Sequence, residues 1–247
     1  MKPIAASLTA LWMLAAAPLC AQQAASAAAP AADPVPGPVV VELFTSQGCS
    51  SCPPADRLLR ELTDREDVLP LALHVDYWDY IGWKDVFAAP GFTHRQKAYA
   101  RAAGRKMIYT PQMIVMGQED VVGAHAMELA ELIMSHMRRP VSVMIGAETR
   151  GGVLHVSLQP LGPVQGPLDV QLVRYTPLEH VQIARGENAG RDLDYANVVT
   201  DWDVLGEWDG TSEAQFQADL KGDSPAAVLV QRSGFGPIVG AARVRRD

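Results

Sequence analysis

Cys49 and Cys52 flank Ser50 and Ser51, so two sulfurs stand close enough along the chain to close a small disulfide ring. Reduced, the same pair presents a thiolate beside a second thiol. Only the thiolate attacks a disulfide sulfur, so whatever lowers a cysteine pKa makes such a pair an exchange centre. The apolar run Val39-Val40-Val41-Glu42-Leu43-Phe44 precedes the pair and Pro53-Pro54 follows it. A strand ending at the cysteines and a helix starting there set both sulfurs at a helix N-terminus. Unpaired N–H groups and the dipole favour an anion at that point. Cys49 is then the nucleophile and the more exposed sulfur, and Cys52 the resolving thiol behind it. The serine hydroxyls can donate to a sulfur anion but bring no charge. Such chemistry needs no cofactor, only protein thiols or disulfides or a redox partner protein.

Other readings of the pair differ in kind. As a staple, a ring this small contributes roughly 2 kcal/mol, at the weak end of the range. Two thiolates and an imidazole can hold copper; His74, His94 and His125 are available, and Cys49, Cys52 and His74 form the alternative ligand set. No second Cys-x-x-Cys or histidine pair completes a zinc site. A non-catalytic adaptor whose cysteines never cycle is the remaining alternative.

The third cysteine, Cys20, lies in a segment with the marks of an export signal. Residues 1–29 hold one charged residue, Lys2, then an apolar stretch over 4–19 and Ala-rich sequence. That stretch is short for a membrane span and no stop-transfer charges follow. The signal is expected to be removed between residues 21 and 29. That leaves a single cysteine pair in a periplasmic or extracellular compartment, where disulfides persist. Residues 30–38, rich in Ala and Pro, read as a leader. The net charge is −7, from 21 Lys and Arg against 28 Asp and Glu, with no basic block. Nucleic acid is therefore a poor partner. No later apolar run is long enough to span a bilayer.

The elements that must position the cysteines follow a readable order. Residues 39–44 and 68–75 read as buried strands, and 53–63 as a helix with Leu58, Leu59 and Leu62 at helical spacing. Residues 76–85 are dense in aromatics. Tyr77, Trp78, Tyr80 and Trp83 there follow a strand's C-terminal end, where α/β sheets carry their sites. A helix is predicted over 93–103, a hairpin over 112–116 and 120–123, and a helix over 127–137. This βαβαββα order predicts a partly parallel sheet covered on both faces. After Pro140 the pattern is strand-like, over 141–147, 153–158, 168–175, 181–185 and 227–232. The expectation is an α/β domain over 39–139, then a mainly β domain over 140–247, with the boundary at residues 138–140. The β part holds no cysteine or paired histidines. It is expected to add no catalytic group, and to cover an edge or face or to recognise a partner. Gly186-Glu187-Asn188-Ala189-Gly190-Arg191 reads as a β-turn. Asp201-Trp202-Asp203 and Trp208-Asp209-Gly210 read as solvated acids and not a calcium loop.

Several of these segments share one resemblance. The run from Glu42 through Thr45-Ser46-Gln47-Gly48-Cys49-Ser50-Ser51-Cys52-Pro53-Pro54 to Asp56 resembles the signature of a secreted bacterial family, domain-of-unknown-function family 1223. His74-Val75-Asp76-Tyr77-Trp78-Asp79, Tyr109-Thr110-Pro111-Gln112 and Gly186–Arg191 resemble it as well. Together they cover nearly all of the chain after the export segment. The resemblance implies a thioredoxin-like first domain and a β extension, and supplies no activity. The thioredoxin likeness implies in turn that Thr110 and Pro111, the latter as a cis-proline, shape a substrate groove. It also implies that Glu42 is a proton acceptor beneath the second cysteine.

Overall fold

Strands Val39–Thr45 (β1) and Val68–His74 (β2) are buried along their whole lengths, as their unbroken apolar runs require of parallel strands covered on two sides. The structure, a computed structural model, describes residues 37–220 and 222–247. The segment read as an export signal, Cys20 and the segment read as a leader, up to residue 36, lie outside the described residues. β1 and β2 pair in parallel, from Val39 opposite Val68 to Thr45 opposite His74. Between them runs helix Pro53–Glu61 (α1). Helix Pro90–Ala102 (α2) begins at Pro90 and not at Thr93, because proline at the first helical position supplies the required φ without losing a bond. Strands Gln112–Val115 (β3) and Glu119–Val122 (β4) form an antiparallel hairpin, β3 also pairing antiparallel with β1. Helix Ala126–Met137 (α3) follows.

Seven more strands complete the chain: Val143–Arg150 (β5), Val153–Pro160 (β6), Leu168–Gln182 (β7), Asp192–Trp208 (β8), Ala214–Asp219 (β9), Ala226–Arg232 (β10) and Ile238–Arg243 (β11). The protein is a mixed α/β chain with one large mixed sheet, in the order β11-β10-β7-β8-β2-β1-β3-β4, and a three-stranded sheet, β5-β6-β9. Residues 138–140 do separate α3 from β5. The strands beyond them are nevertheless built onto the first sheet, with β8 parallel to β2 at Val198 opposite Ala72. The described residues form one compact unit. The seam is thin because Pro70 has no N–H for a ladder. Asn197, at φ +47°, turns its Nδ2 to donate to the Pro70 carbonyl at 2.8 Å instead. The separate strands expected over 168–175 and 181–185 are one strand, β7. Its register shifts beside Val170 and Arg174 let it bend along β8.

The cores follow the sheet faces. On one face Phe44, Leu69, Leu71 and Leu73 pack with Phe92 and Tyr99 of α2 and with Val173, Val199 and Leu229. On the other, Val41 and Leu43 meet Leu59 of α1 and Leu129 and Ile133 of α3. A third core lies between the two sheets, with Leu154, Val156 and Leu158 against Val170, Leu172 and Val228. Among the described residues no helix is long and apolar enough to cross a membrane.

Candidate functional site

β1 ends at Thr45, and the turn Ser46-Gln47-Gly48 delivers Cys49. Cys49 N–H donates to Ser46 O at 3.1 Å and Gly48 N–H to Ser46 Oγ at 3.1 Å. Gly48 lets Ile81 and Trp78 pack close, since a Cβ would sit 3.1 Å from Ile81 Cδ1 and 3.2 Å from Trp78 Cβ. Cys52 caps α1, with prolines at the first two helical positions. Those prolines carry no N–H, so the helix start offers a sulfur anion fewer backbone donors than a Cys-x-x-Cys helix otherwise would. A hydroxyl takes part of that role. Ser51 Oγ–H donates to Cys49 Sγ at 3.4 Å. Cys49 and Cys52 are joined by a disulfide, with Cα atoms 5.4 Å apart.

Neither cysteine is exposed. Cys49 is 1% exposed and Cys52 is 0%, whereas the serines between them are exposed. Two loops hold the turn that carries Cys49. In the loop over residues 76–88, Trp83 Nε1–H donates to Gln47 Oε1 at 2.7 Å, and Asp85 Oδ2 accepts from Gln47 N–H at 2.8 Å. The second loop is the turn at 186–191, closed by Ala189 N–H to Gly186 O and Arg191 N–H to Asn188 O. It is the β-turn its sequence indicated, with one addition. The buried Asn188 donates its Nδ2 to Gln47 O at 2.9 Å and to Cys49 O at 3.0 Å. A side chain from the strand-rich half thus holds the cysteine loop.

The Thr110–Pro111 bond is cis. Phe44 pairs with Gln112, which brings Pro111 to the cysteine end of β1. Trp78 links the two segments, its Cβ against Gly48 and its Nε1–H donating to Thr110 Oγ1 at 2.7 Å. The aromatics divide in function. Trp83 braces the cysteine loop and Trp78 bridges to Thr110, while Tyr80 stacks on Trp78 and is 81% exposed.

Glu42 is buried, but its carboxylate is already committed. Arg95 Nε donates to Oε1 and Tyr99 OH to Oε2, each at 2.6 Å. Arg95 also lies 3.9 Å over the Trp202 ring and donates to Gln231 Oε1. Glu42 thus sits in a closed ion-pair network, which leaves it no free oxygen to serve a sulfur.

A different buried carboxyl lies on the helix that begins at the pair. Asp56, one turn after Cys52, accepts from Thr45 Oγ1 at 2.7 Å. Burial pushes it up to about 7, against the opposing pull of the Thr45 hydrogen bond. His74, opposite Thr45 on β2, donates from Nδ1 to Asp85 Oδ2 at 2.7 Å. Burial raises Asp85, but His74 and the N–H groups of Gln47 and Phe87 outweigh it and hold the carboxyl below its ordinary value. Tyr195 lies edge-on to His74, with ring centres 4.8 Å apart. The sequence reading missed Asp56, Asp85, Tyr195 and Asn188. Asp56 and Asn188 lie in the quoted motifs, which was the available signal. The copper set is not brought together: among the described residues no three His, Cys, Asp or Glu side chains are grouped to hold a metal ion. His94 packs on Phe235, and His125 lies beside Glu128. The acids at 201 and 203 pair with Arg174.

A solved structure of protein AGR_C_4864 from Agrobacterium tumefaciens is similar, with 33% identity and a TM-score of 0.73 over 85% of this chain and 95% of that one. HBP35 of Porphyromonas gingivalis shares the fold at 16% identity and a TM-score of 0.60, over 84% of this chain and 74% of that one. No curated protein matches. The family described as "Protein of unknown function (DUF1223)" matches residues 40–231, and the chain belongs to that family.

Proposed function

We propose that the chain is an exported thiol–disulfide oxidoreductase with a thioredoxin-like core. The observation that carries this reading is the placement of the Cys49–Cys52 disulfide. It lies in the turn between a buried strand and a helix, with a serine hydroxyl on Cys49 Sγ and a partly unsatisfied buried carboxyl one helical turn after Cys52. The strand order β2-β1-β3-β4, with β3 running against the other three, supports the thioredoxin-like reading. In this reading Cys49 takes the substrate sulfur and Cys52 resolves the mixed disulfide. Thr110 and Pro111 form the adjoining wall of the groove. The segment over 1–29, with its single charge and apolar run, supports export to the periplasm or beyond.

The test is covalent trapping. Cys52→Ser, exposed to a protein disulfide, is expected to accumulate a mixed disulfide through Cys49, and Cys49→Ser to accumulate none. A folded wild-type protein whose disulfide resists excess dithiol sinks the reading. One observation favours a second reading, a partner-binding adaptor whose pair does not cycle: the burial of Cys49.

A further inference from the structure

Around the end of β1 and the start of α1 lies a group of buried polar atoms with no partner in the protein. Asp56 Oδ2, His74 Nε2, Tyr195 OH and Gln47 Nε2 are all buried and unpaired. Leaving one such group unpaired costs about 1–3 kcal/mol, and folded proteins hold few of them. These four share one neighbourhood. Thr45 joins Asp56 and stands opposite His74 on the adjacent strand. His74 contacts Tyr195, and both His74 and Gln47 contact Asp85. Asp56 feels the charges of His74, Asp85 and Arg57, and Tyr195 those of Asp56 and Asp85. A cluster kept at that cost, with one member a single helical turn from Cys52, has a use beyond packing.

Helix geometry sets Asp56 on the buried face that carries Cys52. Asp56 N–H donates to the Cys52 carbonyl, so the two residues are one turn apart on the same helix face. Side chains on a helix lean back over the preceding turn, which here is the turn that begins at Cys52. Cys52 and Asp56 are buried on that shared face, and Glu42 is excluded by its pairing with Arg95.

We infer that Asp56 is the group that exchanges a proton with Cys52 when the disulfide opens and closes, with His74 and Tyr195 completing its buried surroundings. This rests on the redox reading above. In the reducing direction, a thiolate of a small or protein dithiol attacks Cys49 Sγ. The Cys49–Cys52 bond breaks and its electron pair goes to Cys52 Sγ. The Asp56 carboxylic acid gives its proton to that sulfur and is left as a carboxylate. The second thiol of the reductant then attacks the mixed disulfide and releases Cys49. The dithiol has become a disulfide and the protein pair two thiols. Asp56 regains its proton from those the reductant released. Re-oxidation runs the same steps in reverse, with the Asp56 carboxylate taking the proton from Cys52.

The experiment follows the rate of reduction of the full chain by dithiothreitol against pH, and its equilibrium with the same reagent. Neither measurement requires a protein substrate. In the wild type an inflection near 7 is expected beyond that of the reagent. Asp56→Asn should lose it, and below pH 7 should be reduced about 100-fold more slowly, the low end of what positioned proton transfer contributes. Thr45→Val removes the hydrogen bond that lowers Asp56, so its inflection should move to higher pH. A purely structural role would leave the inflection in place. Thr45→Val carries the test alone if Asp56→Asn does not fold. Profiles for both variants that superimpose on the wild type overturn the inference and leave the redox reading standing. A folded wild-type disulfide that dithiothreitol cannot reduce overturns both.

Discussion

Asp56 holds its proton more tightly in the folded chain than in the unfolded one, with its pKa raised from 3.8 to about 7. The native state therefore binds more protons between those values. The stability Asp56 contributes is fully present below the unfolded pKa and is lost as pH rises through the folded one. The slope is about 1.4 kcal/mol per pH unit at most. Urea midpoints measured from pH 4 to pH 8 should fall more in the wild type than in Asp56→Asn; parallel curves contradict the assignment. Asp85 does not confuse the window, because its lowered pKa acts below 3.8. At Glu42 the structure predicts a different sensitivity. Arg95→Met strands a buried carboxylate and should destabilise by about 3–5 kcal/mol, and adding Glu42→Gln should recover much of it. Urea unfolding of the single and double variants checks this; equal stabilities show that the pair is not coupled. The apolar neighbours of Glu42 made its burial legible. Its partner was not, because Arg95 is 53 residues away and no sequence period links a strand residue to a helix residue across a face.

Elements in the first half were legible because each carries its own apolar pattern. β1 and β2 are continuous apolar runs, and α3 repeats its buried positions at Leu129, Ile133 and His136. Three later strands were not anticipated. β8 carries Asp192, Asp194, Asp201, Asp203 and Glu207, whose charge hides its buried centre from Tyr195 to Val199. β9 is short, and β11 is small-residue sequence around Gly240. The turn between β7 and β8 is the element with the most direct hold on the cysteines. Asn188→Ala removes both donors to the Gln47 and Cys49 carbonyls, and should destabilise by about 1–3 kcal/mol. It should also speed dithiol reduction of the disulfide, since the turn that carries Cys49 is released. An unchanged reduction rate in a destabilised variant shows that the turn supports the fold without restraining the sulfurs.

At the scale of the molecule, periodicity reports what each segment is and is silent on which sheet it joins. The chain change after Pro140 is visible in the sequence; the insertion of β8 against β2 is not, because it depends on one bridge and the Asn197 side chain. The consequence concerns separability. The β2 face that carries Leu69, Leu71 and Leu73 is covered by Val173, Val199 and Leu229 as well as by α2. Arg95 takes Trp202 and Gln231 from the same late strands, and Asn188 holds the cysteine loop. A fragment ending at residue 140 exposes that apolar face, leaves the outer edge of β2 unpaired and opens the Arg95 network. An exposed edge of this kind is an aggregation site. We expect residues 37–140 expressed alone to lack a cooperative thermal transition and to show collapsed amide dispersion, while the full chain unfolds in one step. A fragment that melts cooperatively and exchanges its disulfide at the full-chain rate shows the opposite: that the late strands decorate an independent domain and do not complete it.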